Sequence, residues 1–396
     1  MEVVIVSAVR TAVGRMGGTI KDVQPEKLGE VVIRECLKRA NFSGDKLDEV
    51  IMGHAKQTTD APNIARVAAL YADVPVEVPA YTVHRQCGSG LQAINNAVQA
   101  IKSGVSEVVL AGGVESMSNA PYYLRSARFG YGAGNAELVD SNTESQPRSQ
   151  PIETYGNLTM GLTAENLAEI YGISREEQDR FAIQSQERAH QAIASGKFEE
   201  QTVPVEIKKR KETIVFKVDE HPRATSLEKL AQLRPVFKEG GSVTAGNSSG
   251  RNDGAGVILL MTKEKAQKYG LKPMARVVSQ AVAGVRPDIM GIGPVPATKI
   301  ALKRADLTIN QIDLIELNEA FAAQSLAVIQ QLGLNKAITN VNGGAIALGH
   351  PLGATGAILM TKLLYEMRDR GCRYGLNTLC IGGGQGIATI VENLTD

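Results

Sequence analysis

The chain has 396 residues, more than one ordinary core accommodates, so two or three domains are expected. With 43 basic and 42 acidic residues its formal charge is +1, which gives no electrostatic ground for a nucleic-acid or anionic-membrane partner. The longest early apolar stretch, residues 3–6, is too short for a signal peptide or a membrane span, and the closing ENLTD is no obvious address tag. Four cysteines, Cys36, Cys87, Cys372 and Cys380, make neither a disulfide framework nor a CxxC zinc pair. Reduced thiols in the cytoplasm, with no bound metal, are the economical expectation.

In chain order, EVVIVSAVRT (residues 2–11) is a β-branched run of the kind found in buried strands. Residues 25–40 carry Leu28, Val31, Val32, Glu35 and Cys36 at helical spacing behind a proline suited to a first turn. LDEVIMGHA (47–55) is a strand. PAYTVHRQCGSGLQAINNAVQAIKSG (79–104) then predicts strand, glycine turn and helix, and SEVVLAGGVES (106–116) a further strand. Alternation of this kind predicts an α/β protein with mostly parallel sheets.

From Pro273 the order repeats. PMARVVSQAVAGV matches the opening strand, VPATKIALKRA the first helix and IDLIELNEAFA the strand at 47–55. AITNVNGGAIALGHPLGATGAILMTKLLYEM again predicts strand, glycine turn and helix, and GLNTLCIGGGQGIATIV closes with strands around a glycine turn. Such duplication predicts two similar α/β units packed together. Between the copies, residues 121–249 differ in composition: an aromatic stretch, the polar SNTESQPRSQP (141–151), helical segments and a charged run containing KKRK. Ser174 with Glu177 predicts a capping box, and KKRK a solvated hairpin.

The chemistry concentrates at the glycine turns. QCGSGLQAI (86–94) sets Cys87 between a strand and a helix, facing unpaired N–H groups and the positive helix end, both of which favour thiolate. Ser89 sits near the helix cap. The second copy places His350 just before a helix and Asn318 and Cys380 at strand ends, where ligands bind in α/β sheets. Each also fits a plain structural role, as a buried histidine, a turn former or a core thiol. Their convergence on one cleft predicts a thiol-based active site.

The motifs CGSGLQAI, GGVESMS, TAGNSSGRNDGA, NEAFA, GGAIALGHPLGATG and CIGGGQG occur here in one order from residue 3 to the C-terminus. In this the chain resembles the thiolase family, the acetyl-CoA acetyltransferases and 3-ketoacyl-CoA thiolases. The resemblance implies duplicated α/β units with layered helices and mixed sheets, plus an inserted loop domain. Residues 1–120, completed by 250–272, would form the N-terminal half, 121–249 the insertion for coenzyme A binding and oligomerisation, and 273–396 the C-terminal half.

It implies that Cys87 takes up the acyl group, His350 accepts its proton, and Cys380 is the acid/base on the acetyl-CoA enolate, being poised between its forms near neutral pH. Asn318, through a water, would share one oxyanion site with His350. The N–H groups of Cys87 and Gly382 would form the second. Ser249 would meet the pantetheine and Arg223 the nucleotide end. Met160, Phe237, Met290 and Phe321 would lie near the acyl pocket, or serve ordinary packing. No cofactor is implied, since coenzyme A is a substrate. Segment 122–140 resembles a tetramerisation region, so a homotetramer is expected, or failing that a homodimer.

Three stretches depart from the family's pattern. His84 stands where asparagine is usual and is expected to pack. GHAKQTTDAPNIAR (53–66) replaces a stretch usually resembling GNVLQAGxGQNPAR. The polar segment beginning at Asp140 replaces a shorter acidic-aromatic loop that shapes the acyl pocket in short-chain enzymes. Cleavage and two-carbon condensation are both open, as is acyl length. The alternatives are a condensing enzyme of the same fold, whose pattern lacks CIGGGQG, and a silent scaffold, which would have lost Cys87, His350 or Cys380.

Overall fold

The computed structural model describes residues 1–395. Its first unit runs β1 (Val3–Thr11), α1 (Pro25–Arg39), β2 (Glu49–Gly53), α2 (Ile64–Tyr71), β3 (Ala80–Val83), α3 (Ser89–Lys102) and β4 (Val108–Ser116). The insertion carries α4 (Met160–Tyr171) and α5 (Arg175–Ala194), and β5 (Asn252–Thr262) returns to the sheet. The second unit runs β6 (Ala275–Gly284), α6 (Pro294–Ala305), β7 (Leu314–Leu317), α7 (Ala322–Leu332), α8 (Leu352–Arg370), β8 (Tyr374–Ile381) and β9 (Gln385–Asn393).

These strands form one mixed sheet in the order β7-β8-β9-β6-β1-β5-β4-β2-β3. Outward from the central β1–β6 pair, β1-β5-β4-β2-β3 is answered by β6-β9-β8-β7, so the duplication is structural. The strand expected near residue 339 shrinks to a single bridge between Ile315 and Thr339, the counterpart of β3 beside β2. The expectation of mostly parallel sheets fails. Only β2–β4, β2–β3 and β7–β8 are parallel among the nine strands. β9 returns from β8 through a tight hairpin and β5 re-enters after the long insertion, and both run antiparallel to their neighbours.

Alternation across the strands sorts the apolar residues into layers. α1 and α2 pack on one face of the first unit through Leu28, Val32, Cys36 and Ala68, against Val4, Val50 and Leu110. The opposite strand faces of both units meet α3 and α8, through Ile94, Ala97, Met360 and Leu363 against Ile51, Val109, Leu379 and Ile387. A third cluster joins α4, α6 and α7 to Leu317, Leu376 and Ile390. The helices α3 and α8 touch backbone to backbone. A Cβ at Gly90 would lie 2.7 Å from Gly353 O, and one at Gly356 2.6 Å from Leu91 Cβ. Because Cys87 and His350 directly precede α3 and α8, this crossing of glycine-bearing turns draws the two residues toward one cleft.

The insertion is tied to β1 by a buried, bidentate pair: Arg10 Nη1 to Asp219 Oδ1 at 2.7 Å and Nη2 to Oδ2 at 2.9 Å. Asp219→Ala leaves the Arg10 guanidinium buried without its counter-ion, and is expected to destabilise the fold by about 3–5 kcal/mol, read as a lowered denaturant midpoint. Both hydrogen bonds of the Ser174–Glu177 capping box form at the start of α5. The KKRK run lies at the exposed turn of a hairpin between Val205–Lys208 and Thr213–Phe216. Among the described residues no helix is long and apolar enough to cross a membrane.

Candidate active site

Between β3 and α3 the chain makes a tight turn. Gln86 takes φ 43°, a left-handed value that a side chain disfavours. Ser89 holds it there, its Oγ donating to Gln86 O at 2.6 Å and accepting from Arg85 N at 2.8 Å. The strained turn presents Cys87, partly exposed, one residue before the N-cap Gly88 of α3. Burial pushes its thiol above the usual range, while the N–H groups of Gly382 and of Cys87 itself, and the Lys56 ammonium, pull the other way. Desolvation therefore outweighs these donors, and a base would be needed to draw off the proton.

His350 lies just before α8, the helix packed on α3 behind Cys87. It is 4% exposed, and its backbone N–H donates to Asn252 Oδ1 at 2.9 Å. Nδ1 lies 2.7 Å from Thr355 Oγ1, whose own hydroxyl donates to Pro351 O at 2.8 Å. Thr355 therefore accepts from His350, which assigns the proton to Nδ1 and leaves Nε2 with its lone pair. Nε2 faces Asn318 Nδ2 at 3.4 Å. Asn318 is fully buried and its Oδ1 has no protein partner. Burial lowers the His350 pKa to about 4, with Glu115 opposing, so the imidazole is neutral near pH 7.

Cys380 is the last residue but one of β8, paired across the hairpin with Gly386, and is 1% exposed. Burial, and then the neighbouring Cys87, push its thiol far above the usual cysteine range. The expectation of a thiol poised near neutral pH is thereby corrected, because the site is drier than a turn at a strand end suggests. Past it, Ile381 packs on the turn so closely that a Cβ at Gly88 would lie 2.6 Å from Ile381 Cδ1. Gly382 then aims its N–H at the Cys87 sulfur.

Met290 and Phe321 are buried in the same apolar cluster as Cys380, with Met160 and Phe237 packed against it. Phe237 meets Phe321 edge-on, ring centroids 6.1 Å apart. Ser249 is half-buried and donates its N–H to Ala320 O at 3.0 Å, beside Asn318. Arg223 is exposed, and its guanidinium donates to Ala245 O at 2.7 Å, on the loop that leads to Ser249. His84, expected to pack, is exposed, one residue past the end of the edge strand β3.

Sequence reasoning missed the carboxylate that organises the site. Glu115 is fully buried and accepts from Ala55 N (3.1 Å), Lys56 N (3.0 Å) and Gly353 N (2.9 Å), and its Oε1 lies 3.3 Å from His54 Nε2. Burial alone would raise its pKa, but His54 and these N–H groups outweigh it and hold it below the usual range. An acid closing the otherwise apolar run VVLAGGVE was the available signal, since a buried carboxylate needs partners. Glu319 was also missed. It binds Ser185 Oγ (2.6 Å), Asn340 Nδ2 (2.8 Å) and Ile346 N (3.2 Å), clamping the NEAFA turn to the loop before His350.

The arrangement offers a nucleophile, a base in a fixed tautomer, and a second thiol with N–H donors, converging from both units. Known proteins share this frame. Residues 3–264 match the model of the thiolase N-terminal domain and 271–393 that of the thiolase C-terminal domain. The chain is 51% identical over 404 aligned residues to an acetyl-CoA acetyltransferase of Syntrophomonas wolfei, covering 99% of each. It superposes on the Bacillus anthracis acetyl-CoA acetyltransferase with a TM-score of 0.96 at 49% identity, covering 99% of both chains. The human mitochondrial 3-ketoacyl-CoA thiolase in complex with CoA gives 0.94 at 46% identity, with 99% of this chain and 98% of that one covered. Matched end to end and in both halves, the chain belongs to the thiolase family.

Proposed function

We propose that this protein is an acyltransferase that moves acyl groups between Cys87 and coenzyme A, cleaving 3-ketoacyl-CoA or condensing two acetyl-CoA. The observation that carries the reading is the neutral His350 tautomer, its Nε2 lone pair turned to Asn318 Nδ2 at 3.4 Å, together with a Cys87 sulfur that faces the Gly382 N–H. His350 Nε2 takes the Cys87 proton, and the thiolate attacks the C3 ketone. The N–H groups of Cys87 and Gly382 stabilise the oxyanion that develops on the C3 oxygen, the Nε2–H so formed and Asn318 receive the enolate oxygen of the departing acetyl-CoA, and donors held ready for a developing charge lower the barrier more than most other devices of an active site. The C2–C3 bond then breaks, its electron pair enters the acetyl-CoA enolate, and the Cys380 thiol protonates C2. Acyl-Cys87 remains, its carbonyl oxygen against the N–H groups of Cys87 and Gly382.

In the second half, the Cys380 thiolate takes the proton of coenzyme A, whose sulfur attacks the acyl-enzyme. Cys87 leaves as thiolate. A buried, hard-to-ionise Cys380 suits this part: it stays protonated until an enolate forms beside it and returns to the thiol at the end. The Ser249 loop and Arg223 are read as the pantetheine and nucleotide contacts, and the apolar cluster around Met290 and Phe321 as the acyl wall. The exposed aromatics of segment 122–140, among them Phe129 at 90% exposure, support an association surface for a homotetramer. Reduced cysteines suit a cytoplasmic enzyme.

The test is thiolysis with free coenzyme A of acetoacetyl-CoA and of 3-oxooctanoyl-CoA, following acetyl-CoA release. Turnover of either supports the reading, and the faster substrate identifies the class. Cys380→Ser is expected to keep acylation of Cys87 by acetyl-CoA while slowing turnover by about 10²–10⁴-fold, the range of a lost general acid/base. Wild-type turnover in that variant would remove Cys380 from its role.

A further inference from the structure

Two departures from the family's sequence pattern lie far apart in the chain and touch in the fold. Lys56, in GHAKQTTDAPNIAR, is 5% exposed. Its ammonium donates to Ser141 O at 3.0 Å and to Ser145 Oγ. Both acceptors belong to the polar segment that replaces the usual pocket loop and that folds here as two short turns, Ser141–Glu144 and Pro147–Ser149. From Ser145 the network continues. Ser149 Oγ donates to Ser145 O at 2.8 Å and accepts from Gln86 Nε2 at 3.2 Å, next to the nucleophile. Ser149 also covers the Cys380 loop: a Cβ at Gly382 would lie 3.4 Å from its Oγ, and one at Gly383 2.6 Å from its carbonyl oxygen. Lys56 is fixed from behind by its own N–H, which donates to Glu115.

Resting on the thiolase reading, we propose that Lys56 is a specificity-determining positioning residue: its ammonium ties residues 141–149 across the catalytic turn, and this tether sets the depth of the acyl site. A buried ammonium is costly to leave without partners, so the segment that supplies them is held in place as firmly as Lys56 is buried. With the tether intact, Ser149 sits over Gly382 and Gln86 and limits the room beside Cys87. Without it, the segment keeps a charged contact only at its exposed edge, where the Arg251 guanidinium reaches Thr143 Oγ1 at 3.3 Å, and the part around Ser145 and Ser149 can swing away from the acyl chain. The same ammonium is near enough to Cys87 for its charge to favour the thiolate, so the tether and the nucleophile share one cation.

The experiment compares kcat/KM for 3-oxooctanoyl-CoA with that for acetoacetyl-CoA. Lys56→Met, similar in length and uncharged, is expected to raise this ratio about tenfold, the scale of one or two methylenes gained in an apolar pocket. Ser145→Ala should move it the same way by less. The double variant should match Lys56→Met alone, because both break one tether. An unmoved ratio in folded Lys56→Met, or additive effects in the double variant, would overturn the proposal. If Lys56→Met does not fold, Ser145→Ala decides by itself: a raised ratio supports the tether and an unchanged one sinks it. Wild type inactive on both substrates would instead refute the thiolase reading.

Discussion

Cys87→Ser is expected to abolish covalent acetylation by acetyl-CoA and to lower thiolysis by at least about 10³-fold, because a serine hydroxyl is far harder to ionise than a thiol and far less nucleophilic. The effect is sharper here than for an exposed cysteine. Burial already raises the Cys87 thiol, and only the Gly382 N–H, its own N–H and Lys56 hold the anion within reach. A hydroxyl in the same place exceeds what those groups can offset. The exchange removes little volume, so the melting temperature should be preserved. Intact-protein mass spectrometry after incubation with acetyl-CoA reads the result: an acetyl adduct on the serine variant would dethrone Cys87 as nucleophile.

His350→Ala is the second large effect. It removes the base and the Nε2–H donor together, and a loss of about 10²–10⁴-fold in kcat is expected. Thr355 and Asn252 should be left folded around a small void. Burial also sets the sign of the pH dependence. The folded-state pKa of about 4 lies below the ordinary 6.5, so the competent neutral form persists well into acid. The wild-type rate should show no loss from this group near pH 6.5.

Stability follows by linkage. Between about 4 and 6.5 the unfolded chain takes up a proton that folded His350 refuses, so stability is present above that window. It is lost as pH falls through it, by roughly 3 kcal/mol. His221, also lowered to about 4 chiefly by burial, adds in the same direction. Denaturant unfolding at pH 7 and pH 4.5 should therefore show a smaller acid loss in His350→Ala than in wild type. An equal loss in both would mean that His350 is not buried as a neutral ring.

The duplication, the helices behind Cys87 and His350 and the capping box at Ser174 were legible because each is written in local residue order: apolar period, glycine turns, a serine three before a glutamate. The strand near residue 339 was over-read, since a short apolar run looks alike whether it pairs once or along its length. Strand direction was misjudged for a related reason. Alternating strands and helices say which elements exist, whereas β5 and β9 run antiparallel because of where the chain re-enters the sheet.

By itself, then, the sequence determined the inventory of the site and its elements: two thiols, a histidine and an asparagine, each at the end of a strand or the start of a helix. Only the tertiary structure decided their states and connections. Whether Cys87 is thiol or thiolate depends on desolvation against donors that include Gly382, nearly three hundred residues further along the chain. The His350 tautomer depends on what Thr355 does with its own proton. The Lys56 tether joins residues separated by 85 and 89 positions. Burial and hydrogen-bond partnership are properties of a packed interior, and they come into being only when distant segments exclude water from one another.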